Sequence, residues 1–245
     1  MMMSKQQMVS ALTAVVLMMM TYAVSAEDTS PVSLSWKGNV ELGIVTTTGN
    51  TETETVNAKA KIGTEREKWR HTVLLETLKS STKGTTNAER FVINGQSDYK
   101  FSDHNYFFAM INYEDDSFSG YQSRINEALG YGRRVIGDTA LTLDLEIGPG
   151  ARQSKLDSGS SENELTVRGA AKLLWKVSAT SAFTEDLSTD VGEDVTIIKS
   201  VTALTAQVNG SLATKITYTI KNTSDVPVGI EKTDTETAVT LVYSF

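Results

Sequence analysis

No cysteine occurs in the 245 residues, so no disulfide can staple this chain. That excludes the small disulfide scaffolds and leaves extended hydrogen bonding and burial as the source of stability. Proline is nearly as scarce, with 3 residues, and no Pro-rich or Gly/Ser-rich run divides the chain. Beyond the N-terminal region no stretch approaches the roughly 18 consecutive apolar residues of a membrane-spanning helix. Positive charge is short as well: 23 Lys and Arg stand against 30 Asp and Glu, a net charge of −7, which disfavours nucleic acid as a partner. With only 2 His, general acid/base and imidazole-metal chemistry have few candidates.

What is present begins with an export signal. Lys5 precedes an apolar run from Met8 to Met20, and Val24-Ser25-Ala26 supplies small residues at a cleavage site. The run is too short to cross a bilayer as a helix, so residues 1–26 read as a signal peptide and residues 27–245 as one mature domain. Removing Lys5 takes the net charge from −7 to −8.

The mature chain alternates with a period of two. In its last nine residues Val239, Leu241, Tyr243 and Phe245 share one face, while Ala238, Thr240 and Ser244 share the other, with Val242 as the apolar exception. Ending on an aromatic residue suits a bilayer, where such rings settle at the headgroup level. Leu141, Leu143, Leu145 and Ile147 alternate with Thr142, Asp144 and Glu146 in the same way, and Leu212, Ile216, Tyr218 and Ile220 with Lys215, Thr217, Thr219 and Lys221. Gly137-Asp138 and Asn209-Gly210 are hairpin signals. The tally is about twelve strands of roughly 10 to 14 residues, where about 9 to 11 suffice to cross hydrocarbon at a tilt.

Connections after even-numbered strands read as short. Most of those after odd ones read as long and polar, as in Ser80 to Asn87, Glu114 to Gly120, Ser154 to Asn163, the acidic stretch around Asp190 to Asp194 and Asn222 to Thr233. This is the pattern of periplasmic turns and extracellular loops, with both termini in the periplasm. The expected fold is therefore all-β, a closed antiparallel transmembrane β-barrel in the cell outer membrane. A soluble sandwich or lipocalin-like barrel explains the alternation equally well, but not the alternating loops or the aromatic terminus.

On this phasing the lumen receives Lys37, Glu41, Lys59, Lys61, Asp98, Lys100, Asp144, Glu146, Arg168, Lys172, Lys176, Lys199, Lys215 and Lys221, together with Glu76, Asp186 and Glu236. The wall then has a basic excess and the negative charge lies in loops. Mixed charge across a narrow lumen reads either as a salt-bridged stabilising network or as a selectivity filter.

Trp36-Lys37-Gly38-Asn39-Val40-Glu41-Leu42-Gly43 followed by Thr48-Gly49-Asn50-Thr51-Glu52-Thr53, Asn126 to Arg134, Glu146 to Arg152 and the closing Val242-Tyr243-Ser244-Phe245 resemble the salt-stress-induced outer-membrane proteins of Gram-negative bacteria, the YdiY-like family. The resemblance implies an outer-membrane barrel of unassigned molecular activity, and it brings no catalytic residue, cofactor or metal. Tyr243 and Phe245 also resemble the terminal signal read by the barrel-assembly machinery. Expected partners are thus that machinery and periplasmic chaperones, transiently, with outer-membrane lipid and lipopolysaccharide around the finished barrel.

The resulting expectation is a non-enzymatic barrel serving envelope integrity under salt or osmotic stress. The alternative is a narrow diffusion channel for small anionic or zwitterionic solutes. His104 reads as a surface turn residue. His71, two residues after Trp69, reads as an interfacial residue, and a lipid hydrolase built on it is the third possibility. The clusters Glu114-Asp115-Asp116 and Glu193-Asp194 read as solvated loops rather than Ca²⁺ or Mg²⁺ sites.

Overall fold

The structure is a computed structural model and describes residues 36–48, 53–82, 85–116 and 119–245. The leader read over residues 1–26 lies outside the described residues. Twelve strands follow in order: β1 (Trp36–Thr48), β2 (Thr53–Glu65), β3 (Trp69–Thr82), β4 (Thr85–Lys100), β5 (Asn105–Asp116), β6 (Tyr121–Gly137), β7 (Leu141–Leu156), β8 (Ser161–Lys176), β9 (Ser181–Gly192), β10 (Thr196–Gln207), β11 (Leu212–Thr223) and β12 (Thr233–Ser244). Each pairs antiparallel with its successor and β12 returns to β1, so the sheet closes. At the seam Glu41 lies opposite Val242 and Val40 opposite Tyr243. Beyond the last ladder position Gly38 N donates to Phe245 O, and Phe245 N donates to Gly38 O, both at 3.0 Å.

Alternation decides which side faces where. Leu42, Val56, Leu129, Ile147, Leu165, Val167, Ile216 and Val239 stand on the outer wall with 54 to 83% of their surface exposed. Apolar exposure on this scale, continuous around a wall, suits lipid and not water. At the end carrying the even-numbered turns the wall is ringed by Trp36, Trp69, Tyr99, Phe101, Phe107, Tyr131, Trp175, Tyr243 and Phe245, all exposed. Trp69 and Tyr99 pack with centroids 5.0 Å apart, and Phe101 and Phe107 at 4.9 Å. Such a girdle marks one membrane interface. Among the described residues no helix is long and apolar enough to cross a membrane.

The connections differ from expectation. Those after even strands are short, but so are those after odd strands, with residues 157–160 joining β7 to β8 and 193–195 joining β9 to β10; only 224–232, between β11 and β12, is longer. The polar segments read as loops are mostly strand: Ser154 to Leu156 end β7, and Glu114 to Asp116 end β5. The barrel therefore continues as paired strand past its apolar band, where polarity no longer signals a loop. The alternating loop lengths that oriented the chain are absent.

The aromatic-rich β5 also becomes phased. Tyr106, Phe108 and Met110 point into the lumen and are at most 8% exposed, whereas Phe107 points out. Facing them across β6 are Gly132, Gly130 and Ala128. An added methyl at Gly132 would fall on the Tyr106 ring, and one at Gly148 on the Leu129 carbonyl and the Gly130 Cα at 2.6 Å. The Gly148-Pro149-Gly150 segment thus lets the backbone of β7 approach that of β6 closely.

Backbone cannot yield as a side chain can, so Gly148→Ala is expected to destabilise the barrel by about 1–3 kcal/mol. Urea unfolding in detergent micelles and the heat-modifiable shift in gel mobility measure this; Gly159→Ala, with open space around it but a positive φ of 88°, should cost less.

Candidate lumen site

Register carries each polar row inward. Glu41 on β1 lies opposite Lys59 on β2, which lies opposite Glu76 on β3; Asp144 on β7 lies opposite Lys172 on β8, which lies opposite Asp186 on β9; and Lys215 and Lys221 on β11 point the same way. Lys37, Lys61, Lys100, Asp98, Glu146, Arg168, Lys176 and Lys199 fall on this inner face too. What the structure adds is their partners across the lumen.

Near the turn end Arg70 donates from Nε to Asp98 at 2.6 Å and from Nη1 to Asp144 at 3.3 Å, so it reaches from β3 to β7. Arg134 grips the same Asp144 with two bonds of 2.7 and 2.9 Å. Above them Gln96 donates to Asp98 and Glu146, both at 2.8 Å; Lys172 bonds Gln96 and Glu146, also at 2.8 Å; and the Tyr106 hydroxyl donates to Glu146 at 3.0 Å. The Arg70 guanidinium sits over the Tyr106 ring, 5.0 Å from its centroid.

A second network lies toward the opposite end. Arg90 on β4 bonds Glu76 at 2.6 Å and Glu236 on β12 at 2.7 Å, while Lys59 lies 3.5 Å from Glu76. Lys221 on β11 meets Glu114 on β5 at 2.5 Å and Asp116 at 3.9 Å. In the closed ring β5 and β11 are six strands apart in either direction, so these side chains meet from opposite walls. A third tie holds the β9 to β10 connection: Glu164 accepts from Arg152 Nε at 2.8 Å and from the Asp194 amide at 3.2 Å, and the Arg152 guanidinium, 1% exposed, also donates to the Val195 carbonyl.

Three expectations change. Glu114 and Asp116 are lumen groups paired with Lys221, not a solvated loop. Asp190, read as loop, is in β9 and accepts two bonds from Arg168, at 2.9 and 3.1 Å. The basic excess of the wall shrinks toward balance, because these carboxylates together with Glu65, Glu162, Glu164 and Asp234 join it, more than offsetting the added Arg70, Arg90, Arg124, Arg134 and Arg152. Among the described residues no group of His, Asp and Glu is arranged to hold a metal.

His71 faces outward, stacked on Trp69 with centroids 5.5 Å apart, and its Nδ1 is hydrogen-bonded to Ser97 Oγ on β4. The neighbouring carboxylate, Asp98, points into the lumen and is bound by Arg70, so it does not extend this pair to a triad. His104 sits in the exposed turn 101–104.

A closed twelve-stranded wall, lipid-facing outside and ion-paired inside, defines a membrane-spanning β-barrel of the outer-membrane type. Its fold is shared with the NanC porin (TM-score 0.57, 8% identity, covering 83% of this chain and 98% of that one) and the translocator domain of the autotransporter NalP from Neisseria meningitidis (0.50, 12%, 96% of each). The COG4313 outer membrane channel from Pseudomonas putida F1 is comparable (0.51, 8%, 91% and 100%). The chain belongs to the family described as protein of unknown function DUF481, matched over residues 40–245. A relative, the uncharacterized protein YdiY of Escherichia coli (strain K12), is 24% identical over 219 residues, covering 89% of this chain and 86% of that protein.

Removing Arg90 leaves Glu76 and Glu236 facing each other without their shared cation. Arg90→Ala is expected to lower stability by about 3–5 kcal/mol, the usual cost of breaking a buried pair. Urea unfolding in micelles reads the loss, and adding Glu76→Gln and Glu236→Gln should restore much of it.

Proposed function

We propose that this chain is a non-enzymatic outer-membrane barrel whose lumen is held shut by its own ion pairs, and that it contributes to envelope integrity under salt or osmotic stress. The observation that carries this reading is the contact of Lys221 with Glu114 and Asp116 from opposite walls, with Arg90 bridging β4 to β12 beside it. A pore built to conduct keeps its charges on the wall; here they meet across it. The stress role follows from the family resemblance. In this reading both termini face the periplasm, the outward-facing Tyr243 and Phe245 serve as the assembly signal, and lipopolysaccharide surrounds the other end.

A second reading, a narrow path for small anionic or zwitterionic solutes, is favoured by lumen lysines that remain exposed, Lys61 and Lys176 among them. Planar-bilayer recording separates the two. The purified barrel should be silent, and a variant combining Arg90→Ala with Lys221→Ala should show discrete conductance steps. Steps from the unmodified chain that change ion selectivity with Lys172→Glu or Lys215→Glu would establish the channel instead.

A further inference from the structure

The lumen is divided lengthwise into unlike halves. Along β3 to β7 it is filled by Leu78, Val92, Tyr106, Phe108 and Met110, each at most 8% exposed. Of the cations on this side, Arg70, Arg90 and Arg134 end on carboxylates, and Arg124 lies over the Tyr121 ring and donates to Ser154 Oγ. Along β8 to β12 and back to β2 the inward positions include small hydroxyl residues, Thr184, Ser188, Thr205, Thr217 and Thr219, half-buried and short enough to leave room. Into that room project Lys61, Lys172, Lys176 and Lys215.

These lysines are incompletely neutralised. Lys172 and Lys215 each have one carboxylate, Glu146 at 2.8 Å and Glu41 at 3.0 Å. Glu41 is not Lys215's alone, since Lys59 lies opposite it in the β1 to β2 ladder. Lys61 and Lys176 make no ion pair among the described residues and are exposed, although both sit on the inner face. Exposure inside a barrel means that solvent enters from the turn end, where Gln207 and Ser244 are exposed as well. The way through is crossed higher up by the Arg90 and Lys221 networks. One carboxylate, the exposed Asp186, faces this space directly and opposes Lys172 in the β8 to β9 ladder.

Ammonium groups on facing walls, hydroxyl donors between them and water access from one end make a receptor for negative charge. We infer that the turn-end half of the lumen is a binding site for a small multivalent oxyanion of the polycarboxylate or phosphate type, held by Lys61, Lys172 and Lys215 and limited by Asp186. That the site is blind rests on the sealed lumen proposed above; that it binds anions does not.

Isothermal titration of the mature chain in a zwitterionic detergent with citrate, and separately with inorganic phosphate, tests this. Citrate should bind in a salt-sensitive manner, phosphate more weakly in proportion to its charge. Lys61→Gln should weaken citrate about tenfold, the loss of one charged hydrogen bond. Asp186→Asn should strengthen it, and Lys232→Gln, in the β11 to β12 connection, should leave it unchanged. The heat-modifiable gel shift shows that each variant is folded. Absence of citrate binding at millimolar concentration, or equal affinity in the unmodified chain, Lys61→Gln and Asp186→Asn, would overturn the inference. A chain that conducts yet binds citrate through Lys61 would refute the sealed lumen and leave the site standing.

Discussion

Hydrocarbon offers no hydrogen-bond partner to a free strand edge, and each unsatisfied backbone group left there costs several kcal/mol. The pairing of β1 with β12 is what removes the edge, and the rest of the architecture depends on it. It forces the number of strands to close a ring, and it requires the chain's last residues to arrive at its first strand. The reciprocal bonds between Gly38 and Phe245 extend that seam to the final residue. Gly38 has no side chain at the place where the Phe245 ring lies, 2.7 Å from where a Cβ would be. A terminal aromatic can therefore both join the girdle and complete the closure.

Once the ring is closed, its interior is a volume to be filled or hydrated. Burying a charge is expensive unless its partner and its remaining hydrogen-bonding sites are supplied. The half of the lumen along β3 to β7 goes far toward that condition by clustering: Asp144 receives two guanidinium groups, Glu146 accepts from Tyr106, Gln96 and Lys172 through Oε1 while its buried Oε2 has no hydrogen-bond partner among the described residues, and apolar side chains pack beside them. The half along β8 to β12 clusters less: Arg168 pairs with Asp190 and Lys215 with Glu41, while Lys176 and Asp186 stay exposed. The same sheet thus combines a packed core with an accessible cationic surface.

The rows of β7, β11 and β12 were legible in the sequence because one face of each is apolar and the other is not. Strand β5 was opaque because both faces carry large apolar side chains, Phe107 outward and Phe108 inward, so a period of two has no contrast to detect. Strand ends were misread for a different reason. Hydrophobicity reports where lipid stops, while hydrogen bonding in β7 and β8 continues beyond it through Ser154 and Glu162. The inward charges could be assigned strand by strand, but not their partners. Lys221 and Glu114 are 107 positions apart, and nothing local to either one announces the other.

Several carboxylates break the rule that charge faces in, Asp115 and Glu89 toward the strand ends and two further along the wall. Glu127 on β6 and Glu185 on β9 alternate with inward neighbours and so stand on the outer wall. Glu185 accepts hydrogen bonds from Ser200 at 2.6 Å and Thr202 at 2.5 Å, both outward on β10. Its position opposite Thr202 and one outward step from Phe183, which pairs with Trp175 of the girdle, places it near the interface, where the penalty for a lipid-facing charge is smallest. Two hydroxyl donors then satisfy the carboxylate within the wall. The exception follows the same physics as the rule: a polar group is tolerated against lipid to the extent that the sheet itself provides its partners.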